Sequence, residues 1–446
     1  MLLIAAALLT ASMHSLGVVE APVAPVAHAA VAVSVSTRVP EQHSVPRPVM
    51  TGVQHSRGAA FLEDLAALPP ADLARADRDR AVLATAQDDA PTAHEVTTWW
   101  ARLAPAERET LTAGAPAVVG NLDGVPYTVR DRANRSVLTA GLADRRTASA
   151  RAAMLGQIEG SLVHEPGAPR RYLITLDTRG SGRAAIAIGD LDSAADVTVV
   201  VPGMFFTVTG QMNDFTATAN DLYSEQATLS GVAAPGQGSG VAVVAWMGYR
   251  TPDLSNILSL DLARTGAERL ERTVDGLRQI RDGAEPRVNI VAHSYGSTTA
   301  LMALSSGRMS ADTLTVFGSP GSSVRKASEL AVGAGQVFVG DAHSDPIAGS
   351  GYFGTDPGSP TFGSTLLDLA HGAAGAVAGD QFRRPVGHND YLKPGTASLH
   401  DVALIAVGRS DLVREELRRG RNGEGGTPQT SPDMYLVRPQ DLQPRD

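Results

Sequence analysis

The stretch Val288-Asn289-Ile290-Val291-Ala292-His293-Ser294-Tyr295-Gly296-Ser297 decides the fold of this 446-residue chain. Its first half is an apolar run typical of a buried strand, and a helix-like stretch follows it. Ser294 lies between them, with the small residues Ala292 and Gly296 two positions before and after it. This spacing indicates a sharp strand-to-helix turn that raises a serine hydroxyl above a parallel sheet, although Ala292 stands where glycine is usual. The alternative is a serine that caps an ordinary turn.

Other short apolar runs predict the remaining strands of this sheet. Residues 171–177 and 184–188 flank a glycine-containing turn and predict an antiparallel hairpin at its start. The later runs alternate with helix-like stretches, which is the pattern of a mostly parallel sheet with helices on both faces. These runs are residues 197–201, 241–245, 288–291, 314–317 and 337–339, and the clearest helix-like stretches between them are 262–281 and 297–305.

Composition divides the chain into five segments. Residues 1–30 predict a signal peptide or a membrane anchor, because they are apolar and Ala27-His28-Ala29 resembles a cleavage site. The basic residues usual at the start of a signal peptide are missing, so a secreted or cell-envelope location is expected with a cytoplasmic one as the alternative. The other predicted segments are an Ala/Pro/Val-rich linker (31–57), a helical N-terminal region (58–165), an α/β domain (166–410) and a polar, disordered tail (411–446). Residues 58–92 have a thin apolar stripe, which predicts weak packing.

Charge and cysteine content exclude several classes of function. The net charge is −9, with 38 basic and 47 acidic residues and no basic run, so nucleic acid is not an expected partner. The chain has no cysteine, which excludes disulfides, thiolate metal sites and a cysteine nucleophile. We expect neither a metal nor an organic cofactor.

A nucleophilic serine needs an acid that orients its base. On a sheet of this kind the acid follows the serine in the chain and the histidine follows the acid. Asp345 comes after the predicted strand 337–339, and Pro346 would fix its loop. Asp341 ends that strand directly and is the alternative acid.

The candidate bases are histidines downstream of the acid. His388 follows Gly387 in a predicted loop, from which it could reach over the edge of the sheet. His400 lies in a helix-like stretch and is the alternative, since a helical histidine is more often a surface residue. His371 is a further candidate. We therefore favour His388.

An ester-cleaving serine also needs donors for the oxyanion of its tetrahedral intermediate. One should be the backbone N–H of Tyr295. The other should come from the loop after the third strand, where Gly203 lets the backbone turn inward and Met204 or Phe205 supplies the N–H. The residues expected to line the substrate pocket are Gly203, His293, Trp246 and Tyr249, and residues 349–375 are expected to form a lid.

These features resemble the actinobacterial α/β-hydrolase family formerly called DUF1023, over residues of about 95–410. The most specific part lies in the helical region, because generic hydrolases lack it. The resemblance implies an α/β-hydrolase fold and a serine hydrolase with Ser294, Asp345 and His388 at its site, but it supplies no substrate. The stretches that carry it are Trp99-Trp100, residues 120–126 and 130–135, Pro202-Gly203-Met204, Gly248-Tyr249, residues 292–296, Asp345-Pro346 and Gly387-His388.

The predicted function is hydrolysis of a carboxylic ester, of a small molecule or a lipid, through an acyl-enzyme. An acyltransferase is the first alternative, since pocket shape rather than sequence selects the acceptor. The second is a catalytically inactive hydrolase-fold protein that binds a partner, the membrane or the cell envelope. The sequence predicts no oligomeric state.

Overall fold

A computed structural model of the chain describes residues 48–230, 240–342, 344–369 and 382–416. The predicted leader (1–30), most of the predicted linker, His371 and residues 417–446 of the predicted tail lie outside these ranges. Within them, no helix combines the length and the apolar composition needed to cross a membrane.

An eight-stranded sheet forms the centre of the molecule, and its strands follow the order β1-β2-β4-β3-β5-β6-β7-β8. The pairs β1/β2 and β2/β4 are antiparallel, whereas every other pair is parallel. The predicted α/β fold, with a hairpin that opens a mostly parallel sheet, is confirmed. The strands are β1 (Arg171–Asp177), β2 (Arg183–Ile188), β3 (Asp196–Val201), β4 (Val241–Met247), β5 (Arg287–His293), β6 (Thr313–Phe317), β7 (Val337–Gly340) and β8 (Thr365–Leu366).

Helices cover both faces of this sheet. Alternate residues along each strand point to opposite faces, so Val288 and Ile290 of β5 join one core while Val291 joins the other. Helices α11 and α12 complete the first core, and α9, α10 and α13 complete the second. These helices are α9 (Ser149–Leu162), α10 (Val208–Leu229), α11 (Asp261–Ile280), α12 (Tyr295–Ser305) and α13 (Ala397–Ala406).

The helical N-terminal region has a third hydrophobic core of its own. Phe61, Leu62 and Leu65 are fully buried in it, so the prediction that residues 58–92 pack weakly is wrong. Pro69-Pro70 begins one helix and Asp79 caps the next, which splits the thin stripe into short faces that meet around a common centre. The helices of this region are α1 (Pro48–His55), α2 (Gly58–Ala66), α3 (Pro70–Ala76), α4 (Arg80–Gln87), α5 (Ala93–Arg102), α6 (Pro105–Gly114), α7 (Pro116–Val119) and α8 (Tyr127–Ala143).

Two predicted boundaries need correction. The predicted linker includes α1, whose Val53 is fully buried, so the ordered helical region begins before residue 58. The predicted tail begins too early as well, because Glu415 bridges Leu367 and the N–H of Glu416 donates to Leu366 O next to β8. Composition misplaced both boundaries because polar and Pro-rich segments can still be ordered by contacts with distant residues.

Candidate active site

Ser294 occupies a strained turn between β5 and α12. Its φ of 55° and ψ of −131° lie in a region that residues with a side chain rarely adopt. The Ser294 N–H donates to Phe317 O at 2.9 Å, and the Ser297 hydroxyl donates to Ser294 O at 2.6 Å. The predicted strand-to-helix turn is therefore present, and the surrounding backbone holds its unfavourable conformation in place.

Three glycines let other segments approach this turn. A Cβ on Gly203 would lie 2.8 Å from Ser294 Cβ, and one on Gly296 would lie 2.5 Å from Pro202 O. Gly318, which follows β6 with a φ of 54°, leaves space that a Cβ would take 2.5 Å from Asp345 Oδ2. Because a side chain at any of these positions would displace backbone or site atoms, the glycines set how closely the site residues can meet.

Ser294, His388 and Asp345 form a hydrogen-bonded chain. His388 Nε2 lies 2.8 Å from Ser294 Oγ, and its Nδ1 lies 2.9 Å from both carboxylate oxygens of Asp345. Because the carboxylate can only accept, Nδ1 carries the proton and Nε2 is left as an acceptor for the serine hydroxyl. All three residues are buried, with exposures of 2%, 4% and 0%.

Asp345 is kept ionised by the groups around it. Burial raises the pKa of this carboxyl, but the electrostatic interaction with His388 and hydrogen bonds from His388, Tyr391 and the Ile347 N–H outweigh burial, and the pKa lies below its usual range. The Tyr391 hydroxyl donates to Oδ2 at 2.6 Å, and the Ile347 N–H donates to Oδ1 at 2.8 Å. An ionised carboxylate at this position stabilises a protonated His388.

Tyr391 is a site residue that the sequence analysis missed. Its hydroxyl also accepts from the Ala342 N–H at 2.8 Å, so it joins the loop of the base to the loop of the acid. Burial and the negative charge of Asp345 raise the pKa of Tyr391 well above its usual value, which keeps the hydroxyl protonated as a donor. Its position three residues after His388 was the available signal.

His293 lies behind His388 rather than in a substrate pocket. Its Nε2 lies 2.6 Å from the carbonyl oxygen of His388, and the two ring centroids are 4.5 Å apart. Burial, followed by the nearby His388, lowers the pKa of His293 to about 3. The ring is therefore neutral, and its Nε2–H donates to the backbone that carries His388.

The loop after β3 favours Met204 over Phe205 as an oxyanion donor. The Phe205 N–H already donates to Pro252 O at 3.0 Å, so the prediction that includes Phe205 is wrong. The Met204 N–H has no acceptor among the described residues, and Met204 borders the cavity at Ser294. Tyr295 begins α12, so its N–H has no partner within the helix. Met204 and Tyr295 remain the candidate pair.

A small apolar cavity of about 10 Å³ adjoins Ser294. Almost all of the exposed atoms on its wall are apolar, and no charged side chain lines it. The Tyr295 hydroxyl donates to Ser259 O at 2.6 Å and accepts from the Ala263 N–H, so only the ring borders the cavity. The lining residues are Met204, Ile257, Ser294, Tyr295, Pro320, Ile347, Ser350, Tyr352 and Phe353, the last three from the described part of the predicted lid.

Two predicted pocket residues lie elsewhere. Trp246 Nε1 donates to Thr273 Oγ1 at 3.1 Å, and the Tyr249 hydroxyl donates to Pro202 O at 2.7 Å. Neither side chain lines the cavity at Ser294, because both face the core beneath α11. Gly203 does adjoin Ser294, as predicted.

The alternative acid and base are not part of the hydrogen-bonded chain. His400 Nδ1 lies 2.6 Å from Glu225 Oε1, and its ring stacks on Phe382. Asp341 directly follows β7, but Nδ1 of His388 pairs with Asp345 instead. In the described part of the chain, no group of three or more histidine or carboxylate side chains could hold a metal ion.

Comparison with known proteins places the chain in a family. A family model described as alpha/beta hydrolase matches residues 177–355. The uncharacterized protein Rv2079 of Mycobacterium tuberculosis is 30% identical over 384 residues, which cover 73% of this chain and 57% of that protein. The uncharacterized protein Mb0988c of Mycobacterium bovis is 32% identical over 235 residues, which cover 51% of this chain and 86% of that protein. The chain thus spans little more than half the length of the longer relative.

Solved structures give only weak similarities. A dienelactone hydrolase from Anabaena variabilis has a TM-score of 0.33 at 12% identity, covering 55% of this chain and 99% of that chain. An S-formylglutathione hydrolase from Agrobacterium tumefaciens has a TM-score of 0.34 at 12% identity, covering 55% of this chain and 97% of that chain. Scores this low carry no inference about function. The mycobacterial relatives and the family model confirm the predicted resemblance, and the chain belongs to the alpha/beta hydrolase family.

Proposed function

We propose that this alpha/beta hydrolase is a serine esterase in which Ser294, His388 and Asp345 act as a catalytic triad. The observation that carries the proposal is the buried chain of hydrogen bonds from Ser294 Oγ through His388 to Asp345, with distances of 2.8 and 2.9 Å. This is the arrangement by which a base activates a serine and an acid orients the base.

Each step of ester cleavage can be assigned to a group in the site. His388 Nε2 takes the proton of Ser294 as Oγ attacks the ester carbonyl, and the charge of Asp345 stabilises the resulting imidazolium. The proposed donors to the oxyanion are the N–H groups of Tyr295 and Met204. His388 then gives its proton to the departing alcohol. Water attacks the acyl-enzyme while His388 takes its proton, and His388 returns a proton to Ser294 Oγ as the carboxylic acid leaves.

The cavity at Ser294 supports an ester with a small apolar acyl group. Its wall offers apolar atoms and no counter-charge for a charged acyl group. Its volume of about 10 Å³ is far below the size of typical ligand pockets, which favours a short acyl chain over a long one. We therefore propose short-chain carboxylic esters as substrates.

A fluorophosphonate probe tests the proposed nucleophile in the full chain. The wild type should be labelled and Ser294→Ala should not. Ser305→Ala is the matched control, because Ser305 is an exposed serine at the other end of α12, and it should be labelled as the wild type is. Equal labelling of wild type and Ser294→Ala would contradict the proposal.

The proposed base can be tested with a matched pair of histidines. With a p-nitrophenyl ester, His388→Gln should lower kcat by about four to six orders of magnitude, whereas His400→Gln should retain most activity because His400 pairs with Glu225. Loss of activity in His400→Gln alone would contradict the assignment. Product analysis with added alcohols would separate hydrolysis from acyl transfer, since both pass through the same acyl-enzyme.

A further inference from the structure

A second cavity lies between the helical N-terminal region and the sheet. It has a volume of about 50 Å³, is open to solvent, and shares no lining residue with the cavity at Ser294. Its walls come from α4, the loop after α7, α8, β1, β2, β4 and α11. The charged residues on them are Arg130, Arg183, Arg269, Arg272, Asp123 and Asp177.

Guanidinium groups outnumber carboxylates around this second cavity, which we call the seam cavity because it lies between the helical region and the sheet. Four arginines and two aspartates line it, and Arg179 and Asp88 are ion-paired to lining residues. The five arginines and three aspartates leave a formal charge of +2, although the whole chain carries −9. Positive charge that is concentrated in a partly enclosed site is unfavourable unless an anion compensates it.

The three carboxylates do not satisfy every arginine donor. Asp177 pairs with Arg179 and Arg183, while Asp88 pairs with Arg179, Arg183 and Arg269. Arg183 Nη1 is nevertheless buried without an acceptor among the described residues. Arg272 pairs with no carboxylate in those ranges, and its guanidinium donates only to the backbone oxygen of Asp88, at 3.2 Å. An unmet buried donor is costly, which indicates that an acceptor belongs in this space.

We propose that the seam cavity binds a small doubly charged oxyanion, namely inorganic phosphate or the phosphate group of a monoester. Two negative charges would balance the excess of arginine. Phosphate oxygens would give Arg183 Nη1 and Arg272 the acceptors that they lack, and planar guanidinium groups bind such oxygens in paired hydrogen bonds. This proposal does not depend on the esterase activity, because the two cavities are separate.

Titration calorimetry of the full chain with inorganic phosphate tests the site, with sodium chloride at matched ionic strength as the reference. The wild type should bind one phosphate with saturable heat. Arg272→Gln should weaken binding at least tenfold, and because Arg272 is only partly buried, the change does not open a core. Arg264→Gln is the matched control on the same helix, because Arg264 pairs with Asp261 and does not line the cavity. It should bind as the wild type does.

Thermal unfolding gives a second readout. Phosphate should raise the unfolding midpoint of the wild type and of Arg264→Gln, but not that of Arg272→Gln, whose midpoint without ligand shows that it is folded. Tighter binding of glycerol 3-phosphate than of phosphate would assign the site to a monoester, and the reverse would assign it to the free ion. An absence of saturable binding, an effect that chloride reproduces, or equal affinity in wild type and Arg272→Gln would overturn the proposal.

Discussion

At the scale of single residues, the Tyr391 hydroxyl supports the acid of the proposed triad. Tyr391→Phe removes the donor to Asp345 and the acceptor of the Ala342 N–H, so the carboxylate loses a hydrogen bond in a buried place. Such a loss costs about 1–3 kcal/mol, and we expect kcat on a p-nitrophenyl ester to fall by about tenfold to a hundredfold at nearly unchanged KM. Tyr223→Phe is the control, because the Tyr223 ring lies beside Gly189 at the end of β2. An unchanged kcat in Tyr391→Phe would contradict this role.

The low pKa of His293 leads to a prediction about how the stability of the fold depends on pH. Its pKa is lowered to about 3 in the folded protein, against an ordinary value of 6.5, so the unfolded chain binds more protons between these limits. The stability that the neutral ring contributes is therefore complete above pH 6.5 and is lost as the pH falls towards 3. His293→Gln keeps a donor for His388 O but does not titrate. Its free energy of unfolding should depend less on pH in this window, by on the order of a few kcal/mol.

Other buried groups act in the opposite direction, so the comparison must be between variants. Burial raises the pKa of Asp77 and of Asp196 to about 6, and that of Asp401 to about 8. Each of these carboxyls stabilises the folded state at low pH and loses that contribution as the pH rises through its folded value. These carboxyls are present in both the wild type and His293→Gln, so their contributions cancel when the unfolding free energy of one protein is subtracted from that of the other. Urea unfolding of both proteins at several pH values measures that difference, and parallel curves would contradict the prediction.

The sequence located the three residues of the proposed triad better than it located the residues that support them. Ser294, Asp345 and His388 follow from local motifs and chain order, because Ser294 lies directly after β5, Asp345 in the loop after β7, and His388 after a glycine in the loop before α13. The N–H of Phe205 could not be assigned in this way, since its acceptor, Pro252 O, is 47 positions away in the chain. Trp246 was misplaced for a similar reason, because the position of a residue near a strand end does not tell which face its side chain joins.

At the scale of elements, the first turn of α12 depends on Gly296. Gly296→Ala would place a Cβ 2.5 Å from Pro202 O and 2.7 Å from Val201 O, and these are backbone atoms that cannot rotate away. We expect the end of β3 and the Met204 loop to shift, with a loss of about 1–3 kcal/mol in unfolding free energy and at least tenfold in esterase activity. Gly156→Ala in α9 is the control, since nothing lies within 4 Å of its added Cβ. It should be neutral or stabilising, and similar losses in both variants would contradict the argument.

The loop before α11 should set the length of the acyl group. Ile257 is buried against Met204 and Ile347 in the wall of the cavity at Ser294. Ile257→Ala should move the preferred p-nitrophenyl ester to a longer chain, and each added methylene is worth about 1–3 kcal/mol in such a pocket. The exposed neighbour Leu258→Ala is the control. If both variants keep the wild-type chain-length profile of kcat/KM, this cavity is not the acyl pocket, even where fluorophosphonate labelling confirms Ser294.

At the scale of the whole molecule, the helical region is tied to the sheet rather than attached beside it. Asn121, after α7, exchanges hydrogen bonds with both backbone groups of Leu176 in β1. Asn134 of α8 donates to Leu173 O, and Asp131 of the same helix accepts from the Leu173 N–H. These bonds give hydrogen-bond partners to the backbone N–H and C=O groups on the edge of β1 that faces away from β2. The sequence predicted both regions but not this junction, because it depends on contacts between residues 39–55 positions apart.

Asp88 provides the test of this junction. It follows α4, and its carboxylate pairs with Arg179 and Arg183 beside the first hairpin and with Arg269 on α11. Asp88→Asn leaves three arginines with a reduced counter-charge, so we expect the free energy of unfolding in urea to fall by about 1–2 kcal/mol, more than a single exposed ion pair would contribute. The adjacent Asp89→Asn removes one exposed pair with Arg57 and should cost less than about 0.5 kcal/mol. Equal stability of the two variants would mean that Asp88 does not join the helical region to the sheet.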